Sequence, residues 1–316
     1  MKIGVDVMGG DHAPQVVVQG VMQAHSKLSA GSRMVLFGDK EKILSLMAQA
    51  NFNPAGVDIV HTTQVIEMSD HPAKAFQQKP DSSITVGFHA LAKKEVDGFA
   101  SAGSTGAMLV GAMYTVKSVE GVMRPCIPTI IPQMNGGLAL LVDAGLNADC
   151  KPEMLCQFAV LGSIYAKNVL GINNPRVALL SNGEEDEKGN LLTLSANGLM
   201  KQMRNINFVG NIEGNKLYSG KIADVVVCDG FVGNIALKQA EAMYVLTQKL
   251  GVRNEFFDRF NYELYGGTPV LGVNSTVIIG HGHSSVEAIR TMILQTENVI
   301  KAQLAEKVKQ ALNTDV

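Results

Sequence analysis

The sequence predicts an α/β protein built on a largely parallel β-sheet with helices on both faces. Short apolar runs, many of them β-branched, alternate along the chain with segments whose apolar residues recur at helical spacing. Strands that are apolar throughout and separated by helices are typical of parallel sheets covered on both sides. Of the 316 residues, 46% are hydrophobic and 18% are charged, which excludes a disordered chain.

The predicted strands are short and are spread over most of the chain. They cover residues 2–8, 33–38, 57–61, 96–102, 128–131, 138–143, 176–181, 223–229 and 276–281. The clearest helix is C-terminal, where apolar residues recur at helical spacing from Val286 to Leu312. Since the sequence contains no internal repeat or linker, we interpret residues 1–316 as one continuous α/β unit, with a two-lobed form as the alternative.

Charge and cysteine usage exclude several functional classes. Lys and Arg number 27 against 29 Asp and Glu, so the net charge of −2 does not indicate nucleic-acid binding. The four cysteines form no C-x-x-C pair, so we expect reduced thiols in a cytoplasmic protein. Two uncharged stretches, 98–116 and 125–142, are interrupted by glycine, proline or polar residues, and we expect buried strand and loop there rather than membrane spans.

Two glycine-rich turns are candidate anion-binding sites, because ligands of parallel sheets bind beyond the carboxyl ends of the strands. Gly9, Gly10 and Asp11 follow the first strand, and the glycines let the backbone approach an anion. A simple tight turn is the alternative. A single arginine, Arg124, follows later and is either an anion contact or a solvated surface charge.

The second turn is a predicted phosphate cradle. Ser104, Thr105 and Gly106 follow the strand at 96–102 and open a helix, where free N–H groups and hydroxyl donors attract negative charge. The segment lacks the lysine of a P-loop, and no G-x-G-x-x-G follows any strand, which disfavours a nucleotide site.

Polar residues at later strand ends suggest charge stabilisation. Lys188 could hold a phosphate or a polarised carbonyl oxygen, or it could pair with the acidic residues before it. Asn234 could donate to a developing oxyanion or merely cap a helix. For Asp143 and Asn147 we favour a structural turn.

The last predicted strand ends in His281 and His283, a spacing that also occurs in metal sites. The sequence identifies no third ligand, so we predict no metal. The chain also lacks a G-x-S-x-G elbow, which leaves a serine nucleophile of the hydrolase type unsupported.

Taken in order, these segments resemble the bacterial phosphate acyltransferase family over nearly the whole chain. The matching segments are 3–11, 101–107, 182–190, 208–214, 228–234 and 281–282. The resemblance implies a fold similar to phosphotransacetylases and isocitrate-dehydrogenase-like proteins, in a homodimer that uses neither a metal nor a nucleotide. It also implies transfer of a fatty acyl group from acyl carrier protein to inorganic phosphate, which yields an acyl-phosphate for phospholipid synthesis.

For that reaction we expect Lys188 and Asn234 to be catalytic, because a cation and an amide can polarise a thioester carbonyl. Phosphate itself is the expected nucleophile. The other residues expected to bind phosphate or substrate are Gly9, Gly10, Asp11, Ser104, Thr105, Gly106, Asn147, Asp229 and His281.

The sequence departs from the family pattern at three places. Ser104 stands where the family more often has Asn, and Leu146 where a small Ala is usual. Residues 242–265 are shorter than the amphipathic hairpin that many members are thought to lay on the membrane, so peripheral membrane contact is a weaker hypothesis here. Three alternatives are a coenzyme A-dependent phosphotransacetylase, a non-catalytic acyl- or phospho-ligand binding protein, and a metal hydrolase.

Overall fold

The computed structural model describes residues 1–313, and backbone contacts divide this chain into two compact units. Unit 1 is discontinuous and consists of Met1–Ser118 and Tyr262–Gln303. Unit 2 consists of Val119–Asn261 and the residues from Leu304 onward. The predicted strands are therefore shared between two sheets, one in each unit.

Unit 1 contains a six-stranded sheet in the order β10-β11-β4-β1-β2-β3. Neighbouring strands are parallel except for β10 and β11, which are antiparallel. The strands are β1 (Lys2–Asp6), β2 (Arg33–Gly38), β3 (Val57–His61), β4 (Gly98–Ser101), β10 (Thr268–Pro269) and β11 (Thr276–Ile279). The helices are α1 (Gln15–His25), α2 (Lys40–Gln49), α3 (Pro72–Gln78), α4 (Ser83–Ala92), α5 (Thr105–Gly111) and α10 (Val286–Ala302), with a π-helical turn at Ala112–Val116 and a 3₁₀ turn at Tyr262–Leu264.

Helix α4 packs on the sheet of unit 1 through a group of aromatic rings. Phe88 and Phe99 are fully buried, with ring centroids 5.2 Å apart in an edge-on arrangement. A Cβ on Gly87 would lie 2.2 Å from the Phe99 ring, so only glycine lets the helix approach the sheet this closely. Burial of such rings is a large part of the driving force for folding.

Unit 2 contains a five-stranded sheet in the order β5-β6-β9-β7-β8. Only the pair β5 and β6 is antiparallel. The strands are β5 (Pro128–Pro132), β6 (Leu138–Val142), β7 (Arg176–Ser181), β8 (Asn207–Glu213) and β9 (Val225–Val227). The helices are α6 (Pro152–Asn168), α7 (Leu191–Met200), α8 (Gly230–Lys249), α9 (Glu255–Asp258) and α11 (Leu304–Asn313), with a 3₁₀ turn at Gly214–Lys216.

The predicted strand positions agree with the structure except at two strands. β8 was not predicted, because Gly210 (φ +97°) and the polar residues around it interrupt the apolar pattern. β10 was not predicted either, because it is only two residues long and includes Pro269. Several predicted strands end earlier than expected, since their last residues turn into the loops that carry the candidate site.

Candidate active site

In unit 1, the carboxyl ends of β1, β4 and β11 lie side by side, because these three strands are parallel neighbours. The backbone N–H of Asp11 donates to the carbonyl of Gly282 at 2.9 Å, which joins the loop after β1 to the loop after β11. These loops and the start of α5 bring seven of the predicted binding residues to one edge of the sheet. This turn cluster consists of Gly9, Gly10, Asp11, Ser104, Thr105, Gly106 and His281.

The turns after β1 and β4 are in direct backbone contact. A Cβ on Gly9 would lie 2.7 Å from the nitrogen of Gly103 and 2.3 Å from Oδ2 of Asp6. Gly10 has φ +111°, a conformation that side chains other than glycine rarely adopt. The geometry of the first turn therefore requires both glycines, and binding of an anion there stays a prediction.

The second turn is ordered by the start of α5. The buried hydroxyl of Ser104 caps the helix by accepting from the Ala107 N–H at 3.4 Å. Thr105 is exposed, while a Cβ on Gly106 would lie 2.3 Å from Cγ of Pro72. Ser104 therefore orders the turn by capping α5, and Gly106 leaves room for Pro72 of α3 to pack against the start of α5.

Below the two turns lies Asp6, the last residue of β1, whose side chain is 1% exposed. Its Oδ2 accepts from the Ser101 hydroxyl at 2.6 Å, and its Oδ1 accepts from the Met8 N–H at 3.0 Å. Burial raises the pKa of Asp6, although these hydrogen bonds oppose the shift. Asp6 was not among the predicted site residues; the signal in the sequence is a carboxylate directly after the apolar residues 3–5.

His281 is exposed at the end of the loop after β11. Its Nδ1 accepts from the His283 N–H at 3.2 Å, and its ring stacks on Tyr262 with centroids 4.8 Å apart. A neutral His281 therefore carries its proton on Nε2, which is a donor suited to an anion. His283 contacts Asp11 at 2.5 Å through Nδ1, so these two side chains lie in an ion pair when His283 is protonated.

The histidines lie in no cluster that would favour the metal alternative. Among residues 1–313, no group of three or more His, Cys, Asp or Glu side chains has an arrangement that could hold a metal ion.

In unit 2, β6, β9 and β7 are parallel neighbours, and their carboxyl ends carry the remaining predicted residues. The turn after β6 is built on Asp143, which is fully buried. Its carboxylate accepts from the backbone N–H groups of Ile127 at 3.0 Å, Leu146 at 3.1 Å and Asn147 at 2.6 Å. Asp143 is thus saturated with local donors, as expected for a residue that orders a turn.

Asn147 and Asp229 are held by the same network. The Asn147 side-chain nitrogen donates to Asp143 and to the Pro125 carbonyl, both at 2.8 Å, so both of its amide hydrogens are used. Asp229 caps α8 by accepting from the Val232 N–H at 2.9 Å. Both side chains therefore support the site's geometry, and their predicted contact with substrate stays a prediction.

Asn234 lies in the first turns of α8 and is exposed. The cap of that helix is Asp229, so Asn234 is not the capping residue that was its alternative role. Its Nδ2 lies 2.8 Å from the position that a Cβ on Gly145 would occupy. The amide thus lies against the turn after β6 and is available to donate.

Lys188 lies in the exposed loop between β7 and α7. Two of the four acidic residues of this loop pair with other lysines: Glu184 lies 2.6 Å from Lys216, and Asp186 pairs with Lys201. In the part of the chain that the structure describes, Lys188 forms no ion pair, so its alternative role as partner of these acids is not observed. The predicted residues of unit 2 all follow strands whose carboxyl ends share one edge of the sheet, and we call this set, Asn147, Lys188, Asp229 and Asn234, the amide–lysine cluster.

Comparison with known proteins identifies the family of the chain. A family model described as "Fatty acid synthesis protein" matches residues 1–251. A phosphate acyltransferase of Desulforamulus reducens is 41% identical over 100% of this chain and 98% of its own length. One of Syntrophomonas wolfei is 40% identical over 97% of both chains. The chain belongs to the phosphate acyltransferase family. The predicted resemblance is confirmed.

The fold of this phosphate acyltransferase family member is similar to that of solved phosphotransacetylases. The enzyme from Streptococcus pyogenes superposes with a TM-score of 0.67 over 95% of this chain and 94% of its own, at 18% identity. EutD phosphotransacetylase from Staphylococcus aureus gives 0.64 over 96% and 94%, also at 18% identity. The predicted phosphotransacetylase-like α/β fold, with mostly parallel strands, is confirmed.

Two departures from the phosphate acyltransferase pattern have structural explanations. Ser104 caps α5 as an Asn would. Leu146 takes part in the turn through its backbone N–H, which a larger side chain leaves unchanged.

In the shortened region 242–265, Phe260 packs edge-on against Phe256 and Tyr218, with centroids 5.3 and 5.2 Å apart. These rings thus contact one another within unit 2. No helix among residues 1–313 combines the length and hydropathy needed to span a membrane.

Proposed function

We propose that this protein transfers a fatty acyl group from acyl carrier protein to inorganic phosphate. The turn cluster is the observation that most supports phosphate as the acyl acceptor. In it, two glycine turns and the start of a helix meet, and the chain belongs to the phosphate acyltransferase family. Backbone amides at such positions favour anions without requiring a lysine. The carrier protein as acyl donor follows from the family resemblance.

In the proposed reaction an oxygen of phosphate attacks the thioester carbonyl carbon and a C–O bond forms. The C–S bond then breaks, and the carrier leaves as a thiolate that takes a proton from solvent. Phosphate is partly dianionic near neutral pH and acts as the nucleophile itself, so no side chain has to become acylated. The protein has to supply positioning and charge stabilisation.

We assign phosphate binding to the turn cluster of unit 1. The Nε2–H of His281 adds a donor there, since its Nδ1 is occupied as an acceptor.

We assign polarisation of the carbonyl to Lys188 and Asn234 of the amide–lysine cluster. Both side chains are exposed, and neither is used by the local hydrogen bonds that occupy Asp143 and Asn147. A cation and an amide of this kind stabilise the oxygen that becomes negative in the tetrahedral intermediate.

A thiol-release assay with long-chain acyl carrier protein, run with and without inorganic phosphate, tests this function. We expect release only with phosphate, together with an acyl-phosphate signal in ³¹P NMR. Equal release without phosphate, or a kinetically competent acylated protein, would contradict the proposal. Faster thiol release from short-chain acyl-coenzyme A would favour the phosphotransacetylase alternative. Ligand binding without thiol release would favour the binding-protein alternative. Loss of activity with a chelator would favour the metal hydrolase.

We also propose a cytoplasmic homodimer. Helix α8 exposes a row of apolar side chains at helical spacing, an apolar surface that supports association. These side chains are Val232, Ile235, Met243 and Leu246, and Leu250 directly after the helix continues the row. Light scattering coupled to size exclusion should give twice the chain mass, and a monomer at all concentrations would contradict the dimer. Flotation with liposomes tests peripheral membrane contact, the competing use of this surface.

A further inference from the structure

The turns after β1 and β4 share one buried carboxylate. Asp6 closes β1, and Ser101 closes β4, the parallel neighbour of β1. The Asp6 carboxylate accepts hydrogen bonds from the hydroxyls of Ser101 and Ser83 and from the N–H groups of Met8 and Gly9. The backbone of Gly103 also lies close to it. Asp6 is not one of the seven residues of the turn cluster, but its carboxylate contacts both of the turns that form it.

The contact with the second turn runs through the Ser101 hydroxyl. This hydroxyl donates to Oδ2 of Asp6 at 2.6 Å, and its oxygen accepts from the Gly103 N–H at 2.9 Å. Both groups are fully buried, so water does not replace either bond. We call these two hydrogen bonds, from Gly103 to Ser101 and from Ser101 to Asp6, the relay. The donor and acceptor of each bond are fixed, because an ionised Asp6 only accepts and the Gly103 amide only donates.

We infer that Asp6 is a positioning residue for phosphate, which holds the amides of both turns in one geometry through a single carboxylate. This inference rests on the proposed function insofar as inorganic phosphate is the anion bound. An ionised carboxylate in a buried position needs several donors, and the two turns provide them. Backbone amides bind an anion tightly only while they are aligned on it, so the affinity for phosphate falls when either turn shifts.

The role predicts a specific effect of Asp6→Asn, which keeps the shape of the side chain. If the amide nitrogen faces Ser101, the Ser101 hydroxyl loses the carboxylate acceptor that fixes its direction, and its oxygen has to accept from both the new amide and the Gly103 N–H. If the amide nitrogen faces Met8 instead, the Met8 N–H of the first turn loses its acceptor. In either orientation one turn loses a hydrogen bond that holds it in place.

Stability separates this role from a merely structural one. Burial raises the pKa of Asp6, so the folded state binds its proton more tightly than the unfolded state does. Its ionised form therefore lowers stability at neutral pH, and stability rises as pH falls through the folded pKa toward 3.8. The loss of one buried hydrogen bond in Asp6→Asn opposes this gain, so we expect the thermal midpoint at pH 7 to change little while phosphate binding weakens.

The experiment measures binding of radiolabelled inorganic phosphate by equilibrium dialysis, and the KM values for phosphate and for the acyl donor. We expect Asp6→Asn and Ser101→Ala each to weaken phosphate binding on the order of tenfold or more, with the KM for the acyl donor unchanged. Asp39→Asn is the matched control, because Asp39 follows β2 at the same edge of the sheet, where its carboxylate caps α2 and pairs with Lys42. It should leave phosphate binding unchanged.

Unchanged phosphate binding in Asp6→Asn, with or without a lower thermal midpoint, overturns the inference. If Asp6→Asn does not fold, Ser101→Ala decides in the same way, since it breaks the relay and leaves the carboxylate in place. Wild-type protein that binds phosphate but releases no thiol contradicts the proposed function alone, because the binding data still test Asp6.

Discussion

Gly145 and Asn234 lie against each other at the carboxyl edge of the second sheet. A Cβ on Gly145 would be 2.8 Å from Nδ2 of Asn234 and 3.4 Å from its Cβ. Gly145 also has φ +135°, which side chains other than glycine rarely adopt. The turn after β6 therefore fixes where the Asn234 amide lies, although the two residues are far apart in sequence.

Gly145→Ala should lower turnover on the order of 10²-fold, because displacement of a catalytic group by about 1 Å has that effect. Steady-state thiol release measures the change. Gly171→Ala is the control: Gly171 has φ +73° in the same unit, but a Cβ there meets nothing within 4 Å. Equal losses in the two variants would show that backbone strain, and not the contact with Asn234, is responsible.

Lys188→Ala and Asn234→Ala should each lower kcat on the order of 10²–10³-fold, as the loss of one oxyanion donor typically does. Both side chains are exposed, so the fold should survive, which circular dichroism checks. Lys201→Ala is the matched control, since this lysine pairs with Asp186 of the same loop. Rates near wild type in Lys188→Ala and Asn234→Ala would refute the assigned roles.

Ser104→Ala should lower the free energy of unfolding by about 1 kcal/mol, because α5 loses its capping oxygen. Ser104→Asn supplies another good cap and should remain near wild type. Urea unfolding followed by circular dichroism measures the difference. If both variants lose the same stability, the cap is not the contribution of Ser104.

Cys150 should react slowly with iodoacetamide at pH 7, and its rate should rise about tenfold per pH unit toward pH 11. Burial, followed by the negative charges of Asp143 and Asp229, raises the pKa of this thiol to about 11. Peptide mapping by mass spectrometry gives the rate for each cysteine, with glutathione as the reference thiol. A plateau below pH 9 would contradict the expectation.

The sequence contained most of the fold, because strands of a parallel sheet are apolar throughout and their pattern is local. β7 was predicted with its observed bounds for this reason. The assignment of each strand to one of the two sheets was not predictable, since pairing between strands such as β11 and β4 depends on contacts between distant parts of the chain.

The candidate site was predicted where a residue type carries its own chemistry, as Lys188 does. The roles of Asp6 and Asn147 depend on partners that the sequence does not place. Asn147 uses both amide hydrogens on Asp143 and Pro125, and no local pattern indicates this.

The discontinuity of unit 1 has a consequence for synthesis on the ribosome. β11, which pairs with β4 and leads to His281, is made only after all of β5–β9. Helix α11, which packs on α6 in unit 2, is made later still. Neither unit can finish folding until nearly the whole chain has been translated, so the exposed edge of β4 is where a nascent chain would first need protection from aggregation.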